Sequence, residues 1–175
     1  MRKEIVVGGS GGQGVQSFGN LLAKTLDTKG DLVSLSFNYG PEARGGRSYA
    51  HIIIKATPDD WPELLQIDIL VVLSQPSYDA CLDKLRPESI VIYDTDMVKP
   101  AKSACKQYGV PAVETATALG STIMTNMVML GAMASITGVC TLDNIIAALG
   151  KNAATDKRME FLKKGYTLGS NKATA

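Results

Sequence analysis

Five of the seven positions from Gly8 to Gly14 are glycine, in the order Gly-Gly-Ser-Gly-Gly-Gln-Gly. They follow the apolar run Glu4–Val7 and precede an amphipathic run that starts at Val15. That arrangement reads as strand, tight turn and helix. With so few side chains, backbone amides can approach a ligand or partner closely, and positive φ costs little. The helix N-terminus adds free N–H groups and the positive end of a dipole. Residues 9–14 fit Gly-x-Gly-x-x-Gly in the strand-to-helix setting of the dinucleotide fingerprint.

The second half of that fingerprint is missing. A nicotinamide dinucleotide site calls for an acidic residue at the end of the second strand. Here the strand Leu32–Phe37 ends in Asn38, and the next acid is Glu42, inside a turn-like segment. Three readings of the glycines stay open: a tight turn only, a dinucleotide site, or an anion or partner site built from the same amides.

The chain in order gives an α/β, Rossmann-like fold with a mostly parallel sheet flanked by helices and a helical C-terminal segment. Strand Glu4–Val7, helix Val15–Thr28 and strand Leu32–Phe37 form a βαβ unit, expected as a parallel pair. A Gly/Pro loop follows at 38–46, then strands at 47–55 and 67–73. Ser74-Gln75-Pro76 opens a helix to about Leu85, ahead of a strand at 89–93. A short helix is expected at 101–108 and a short strand at 110–113. Three helices close the chain: 121–135, 142–149 with Thr141 as N-cap, and 156–166, with a frayed tail over 169–175. One domain over 1–175 accounts for all of it.

The charge balance is +1 with no basic run, which gives no argument for nucleic acid. Cys81, Cys105 and Cys140 are scattered, no Cys-x-x-Cys occurs and His51 is the only histidine, so no metal site is expected. The odd cysteine set with no leader leads us to expect a reducing cytoplasm. Thr115–Leu142 carries no charge, yet its Thr, Ser and Asn content and its lack of aromatic or basic anchors speak against a membrane span. It reads instead as a core or subunit-interface helix, with Met127 and Met133 as interface candidates.

A catalytic kit is hard to find. There is no Gly-x-Ser-x-Gly elbow and no Walker pattern. His51 reads as a strand histidine with a satisfied hydrogen bond. Asp59-Asp60 and Asp94-x-Asp96 read as solvated turn acids. The best charged candidates are Glu42 and Arg44. Arg44 is followed by Gly45 and Gly46, so its guanidinium could reach a phosphate or carboxylate past an unobstructed backbone.

The two segments Gly-Gly-Ser-Gly-Gly-Gln-Gly-Val and Tyr39-Gly-Pro-Glu-Ala-Arg-Gly-Gly46, at this spacing, resemble the gamma subunit of 2-oxoacid:ferredoxin oxidoreductases. The likeness extends to the Ile67–Ser74 strand and to Asn126, and the Pro-Glu-Ala form is most similar to the 2-oxoglutarate members. The resemblance implies a complex in which a 2-oxoacid is decarboxylated on thiamine diphosphate with Mg2+. Electrons leave through [4Fe-4S] clusters to ferredoxin, and coenzyme A takes the acyl group. It implies alpha and beta partners and a delta, ferredoxin-like one, with no cofactor bound by this chain alone. Gly11, Gly12, Gln13 and Gly14, with Tyr39, Glu42, Arg44 and Gly45, are then expected at a coenzyme A site or active-site rim. Asn126 joins Met127 and Met133 as an expected interface residue.

Overall fold

The computed structural model describes residues 1–40, 46–57, 59–61, 63–150 and 156–173. Glu42, Arg44 and Gly45 therefore lie outside the described residues. β1 (Lys3–Ser10) is followed by α1 (Val15–Lys29), β2 (Leu32–Tyr39), β3 (Arg47–Lys55) and β4 (Ile67–Val72). Then come α2 (Gln75–Asp79), β5 (Leu85–Asp94), β6 (Lys106–Val110), α3 (Ala112–Ala118), α4 (Thr125–Thr137), α5 (Leu142–Leu149) and α6 (Arg158–Ala173).

The six strands form one sheet in the order β2-β3-β1-β4-β5-β6. β1, β4, β5 and β6 pair in parallel, while β3 runs antiparallel to both β1 and β2. Five strands thus point one way, as a mostly parallel sheet requires. The expected βαβ pair is corrected in one respect: β1 and β2 share a direction but are not neighbours, because β3 returns between them. Its Ala50 and Ile52 complete the surface under α1, in one cluster with Phe18 and Leu22.

β1 and β4 are buried on both faces, which explains their unbroken apolar runs. Ile5, Val7, Ile69 and Val71 point into a large cluster under α1 and α3–α6. Val6, Leu70 and Val72 point into a smaller one with Tyr78 of α2, Val98 and Cys105. One face of the sheet is deeply covered, the other thinly.

Two local expectations are corrected between 101 and 118. Lys106–Val110 is an edge strand, not the end of a helix, and the helix begins after Pro111. At Gly109 a Cβ would stand 2.9 Å from the Tyr93 hydroxyl oxygen, so glycine lets the two strands close up. The helix opened by Pro76 is shorter than expected, because a 3-10 turn at Leu82–Lys84 hands the chain to β5 four residues before Ser89.

The three last helices stand where expected. Thr141 caps α5 in a reciprocal box with Asn144, with the Asn144 amide donating to the Thr141 hydroxyl over 3.2 Å. α6 runs beyond Tyr166 to Ala173, because Gly165 and Gly169 let it lie against the α4 backbone. Among the described residues, no helix is long and apolar enough to cross a membrane.

Candidate functional site at the two glycine-rich loops

The two motifs that stand out in the sequence are brought together. The Gly11 amide donates to the Gly46 carbonyl over 3.0 Å, and the Gly40 amide donates to the Arg47 carbonyl over 2.7 Å. The second motif therefore starts and ends on a pinched base beside the first. Tyr39 stands at that base, 61% exposed, with its hydroxyl accepting from the Gln16 side-chain amide.

Each residue of the first loop has its own role. Gln13 spends its side chain internally: its Oε1 accepts from the Ser10 amide over 2.6 Å, and its Nε2 donates to the Leu73 carbonyl over 2.8 Å. Gln13 braces the crevice between β1 and β4, and this amide is not on offer to a ligand. Gly14 takes the left-handed conformation (φ 73°) at the N-cap of α1. Its carbonyl accepts from Phe18 N and from the Asn126 side-chain amide, both at 3.0 Å. Gly12 also has positive φ (91°), but a Cβ there would meet nothing within 4 Å. Gly12 therefore faces open space.

Beside Gly12 and Gln13 lies a cleft of about 260 Å3, walled by Met97, Val113, Thr122, Ile123 and Thr125. It opens beyond the carboxyl ends of β1 and β5, where ligands of open α/β sheets bind. Sequence reasoning missed Met97 and Ile123, which are apolar and exposed. Their position after β5 and before α4 was the available signal. Met97 is set by Asp94, whose carboxylate accepts from the amides of Asp96, Met97 and Val113 at 2.8–3.1 Å. Asp94 is fully buried and not the solvated acid expected, and burial raises its pKa despite those hydrogen bonds. Asp60 is a turn acid whose hydrogen bonds from the Ala56 and Thr57 amides lower its pKa.

The dinucleotide reading loses its geometry. In that fold the ribose-binding acid ends the strand beside the glycine loop. Here β3 separates β2 from β1, so Asn38 and Tyr39 sit two strands away. The interface expectation for the long helix is corrected too. Asn126, Met127 and Met133 are 4%, 1% and 0% exposed within this chain. α4 is buried by its own sheet and by α6 over Thr125–Ala134, so these three side chains have no surface to give a partner.

His51 is bonded as expected, with the Asn38 side-chain nitrogen 3.1 Å from its Nδ1. Burial first, then the nearby Lys84 charge, lowers its pKa. Among the described residues no group of three or more His, Cys, Asp or Glu is placed to hold a metal ion.

The pyruvate ferredoxin/flavodoxin oxidoreductase family model matches residues 4–168. A 2-oxoglutarate synthase subunit KorC of Methanocaldococcus jannaschii is 34% identical over 176 residues, covering 95% of this chain and 93% of that one. The crystal structure of a keto/oxoacid ferredoxin oxidoreductase gamma subunit from Geobacter sulfurreducens PCA superposes with a TM-score of 0.81 at 29% identity, covering 99% of this chain and 97% of that one. The fold also recurs in a 2-oxoglutarate:ferredoxin oxidoreductase from Magnetococcus marinus, solved with 2-oxoglutarate, coenzyme A and succinyl-CoA bound. That match has a TM-score of 0.83 at 21% identity and covers 99% of this chain and 31% of that one.

Proposed function

This chain belongs to the pyruvate ferredoxin/flavodoxin oxidoreductase family and is a gamma-type subunit of a 2-oxoacid:ferredoxin oxidoreductase, and we propose that its 2-oxoacid is 2-oxoglutarate. The complex then converts 2-oxoglutarate and coenzyme A to succinyl-CoA and carbon dioxide, and passes two electrons to ferredoxin. Thiamine diphosphate with Mg2+ supplies the carbanion chemistry and [4Fe-4S] clusters carry the electrons. We assign these groups to alpha, beta and ferredoxin-like delta partners in the cytoplasm, and not to this chain.

The role we assign to this subunit is to hold coenzyme A and help close the active site. The observation that carries this reading is the bond from Gly11 N to Gly46 O, which sets the two glycine-rich motifs side by side at the carboxyl end of β1. The open Gly12 backbone and the apolar cleft next to it supply a surface on which an extended, amide-containing chain can lie. Arg44, between the pinched ends of the second motif, is the group we assign to a coenzyme A phosphate, with Glu42, Gly45 and Tyr39 on the same rim.

The test is Arg44→Ala in the assembled complex. Loss of one charge-assisted contact should raise the KM for coenzyme A or lower kcat by roughly 10- to 150-fold, while the complex keeps its cofactor load. Arg44→Lys should recover only part, because an ammonium lacks the planar fork. Unchanged coenzyme A kinetics, with the subunit lost on gel filtration, would instead make Arg44 a brace between subunits. A panel of 2-oxoacids on the same complex decides the substrate.

A further inference from the structure

The thinly covered face of the sheet holds a second cavity, of about 330 Å3. Its walls include Asn38, Arg47, Tyr49, His51, Cys81 and Lys84. Among the described residues it shares Tyr39 with the rim assigned to coenzyme A. Val6, paired with His51 across β1 and β3, also lines it. The chain's single histidine, two cationic side chains and a tyrosine hydroxyl thus meet in one recess that the oxidoreductase reading does not use.

The polar groups of this recess are mostly donors. Asn38 donates to Nδ1 of His51, which places the proton of the neutral ring on Nε2 and leaves that N–H as a donor. The Tyr49 ring tilts against the His51 ring with centroids 6.3 Å apart. The buried Tyr49 hydroxyl lies by the Ser77 and Arg47 side chains without a well-formed hydrogen bond to either, and burial holds it protonated. Cys81 is a thiol at neutral pH, since burial pushes its pKa up to about 11, so it brings no negative charge. Among the described residues, the carboxylate that acts on His51 is Glu4, which is tied to Arg2 at 2.8 Å and to the amides of Leu65 and Gln66. Lys84 is exposed and makes no ion pair among the described residues.

We propose that this recess is an oxyanion site: a phosphate or carboxylate group enters between Lys84 and Arg47 and accepts hydrogen bonds from His51 Nε2–H and the Tyr49 hydroxyl. Among the described residues, the charged and titratable groups that face His51 there are Arg47, Lys84, Tyr49 and Cys81, with Glu4 behind. A bound anion offsets the Lys84 charge that disfavours the imidazolium, so it raises the His51 pKa, and binding tightens as pH falls through that pKa.

The single histidine makes the test specific. Ring carbon–proton spectra of His51 in the full chain are followed against inorganic phosphate, inorganic pyrophosphate and acetate, with chloride at matched ionic strength as control. The expected result is a saturable ring shift and a raised His51 pKa with at least one of the three oxyanions. Saturation by the phosphates alone assigns a phosphate-bearing ligand; saturation by acetate assigns a carboxylate. Lys84→Met, at an exposed position, should weaken the response about tenfold. The readout is direct binding to the isolated chain, whereas the coenzyme A assignment is tested by kinetics of the assembled complex, so failure here and failure of that assignment are read separately. Ring signals that follow ionic strength alone, or an unchanged response in Lys84→Met, would overturn the site.

Discussion

Asn126 donates its side-chain amide to the carbonyl of Gly14 over 3.0 Å, tying the start of α4 to the start of α1 across 112 residues of chain. The contact depends on Gly14 having no side chain. Its φ is 73°, and a Cβ there would collide with the Asn126 amide nitrogen. Gly14→Ala should therefore cost about 2–4 kcal/mol, combining left-handed strain of about 1–2 kcal/mol with the clash. Asn126→Ala alone should cost about 1–3 kcal/mol, for a lost hydrogen bond and a small cavity. Denaturant unfolding of both single variants and the double variant checks this. The double variant should be less destabilised than the sum, since removing Asn126 relieves the clash; strict additivity would sink the argument.

Gly12 makes the contrast. Its φ is 91°, but a Cβ there would touch nothing. Gly12→Ala should cost only about 1–2 kcal/mol of backbone strain. If the Gly12 backbone faces coenzyme A, the same methyl group should raise the coenzyme A KM in the assembled complex by more than the stability loss accounts for. Steady-state kinetics at saturating 2-oxoglutarate, beside the unfolding curve of the isolated chain, separates the two effects. A KM equal to wild type would place the ligand elsewhere along the cleft.

Cys81 and Cys140 are buried, and burial pushes both thiols up to about 11 from an ordinary 9.0. In the unfolded chain they ionise near ~8.5. The folded state thus holds protons that the unfolded state has released, and stability falls as pH rises from about 8.5 to about 11. Below that window these thiols contribute no slope. Each is worth on the order of 3 kcal/mol across it. Cys140→Ala should be less stable than wild type at pH 7, because it leaves a cavity, yet lose less on going to high pH. Guanidinium midpoints across the alkaline range test this, and parallel curves for the two proteins would refute it.

How far the sequence led depends on the range of each interaction. α5 and its Thr141 cap were legible because every group involved lies within four residues. The juxtaposition of the two glycine-rich motifs was expected only through the family resemblance, since a bond from Gly11 to Gly46 leaves no local trace. The side-chain partner of Gln13 is hidden for the same reason, because its acceptor, the Leu73 carbonyl, lies 60 residues away. The return of β3 between β1 and β2 is equally hidden. Alternation within β3 fixes which side chains face α1, but not which strands lie to either side.

The uncharged stretch 115–142 shows the limit most clearly. That α4 is buried all round was readable from its lack of charge, but what buries it was not. The answer lies in α6, where Gly165 and Gly169 are four residues apart and face the α4 backbone. A Cβ on Gly165 would run into the Val128 carbonyl, and one on Gly131 into that of Leu162; at Gly169 it would stand 2.6 Å from the Ala132 carbonyl. Backbone cannot swing aside as a side chain can, so adding a methyl must separate the helices. Gly165→Ala and Gly131→Ala should each destabilise by about 3 kcal/mol or more, outweighing the gain in helix propensity of about 1 kcal/mol. Gly169→Ala, nearer the helix end, should cost less. Because α4 begins at Thr125 and Asn126, beside the glycine loop, a tilt of α4 should also loosen the bond from Asn126 to Gly14. Faster hydrogen exchange at the Phe18 amide, which donates to the same Gly14 carbonyl, would report that coupling. A Gly165→Ala protein as stable as wild type would mean that the two helices pack further apart than their glycines require.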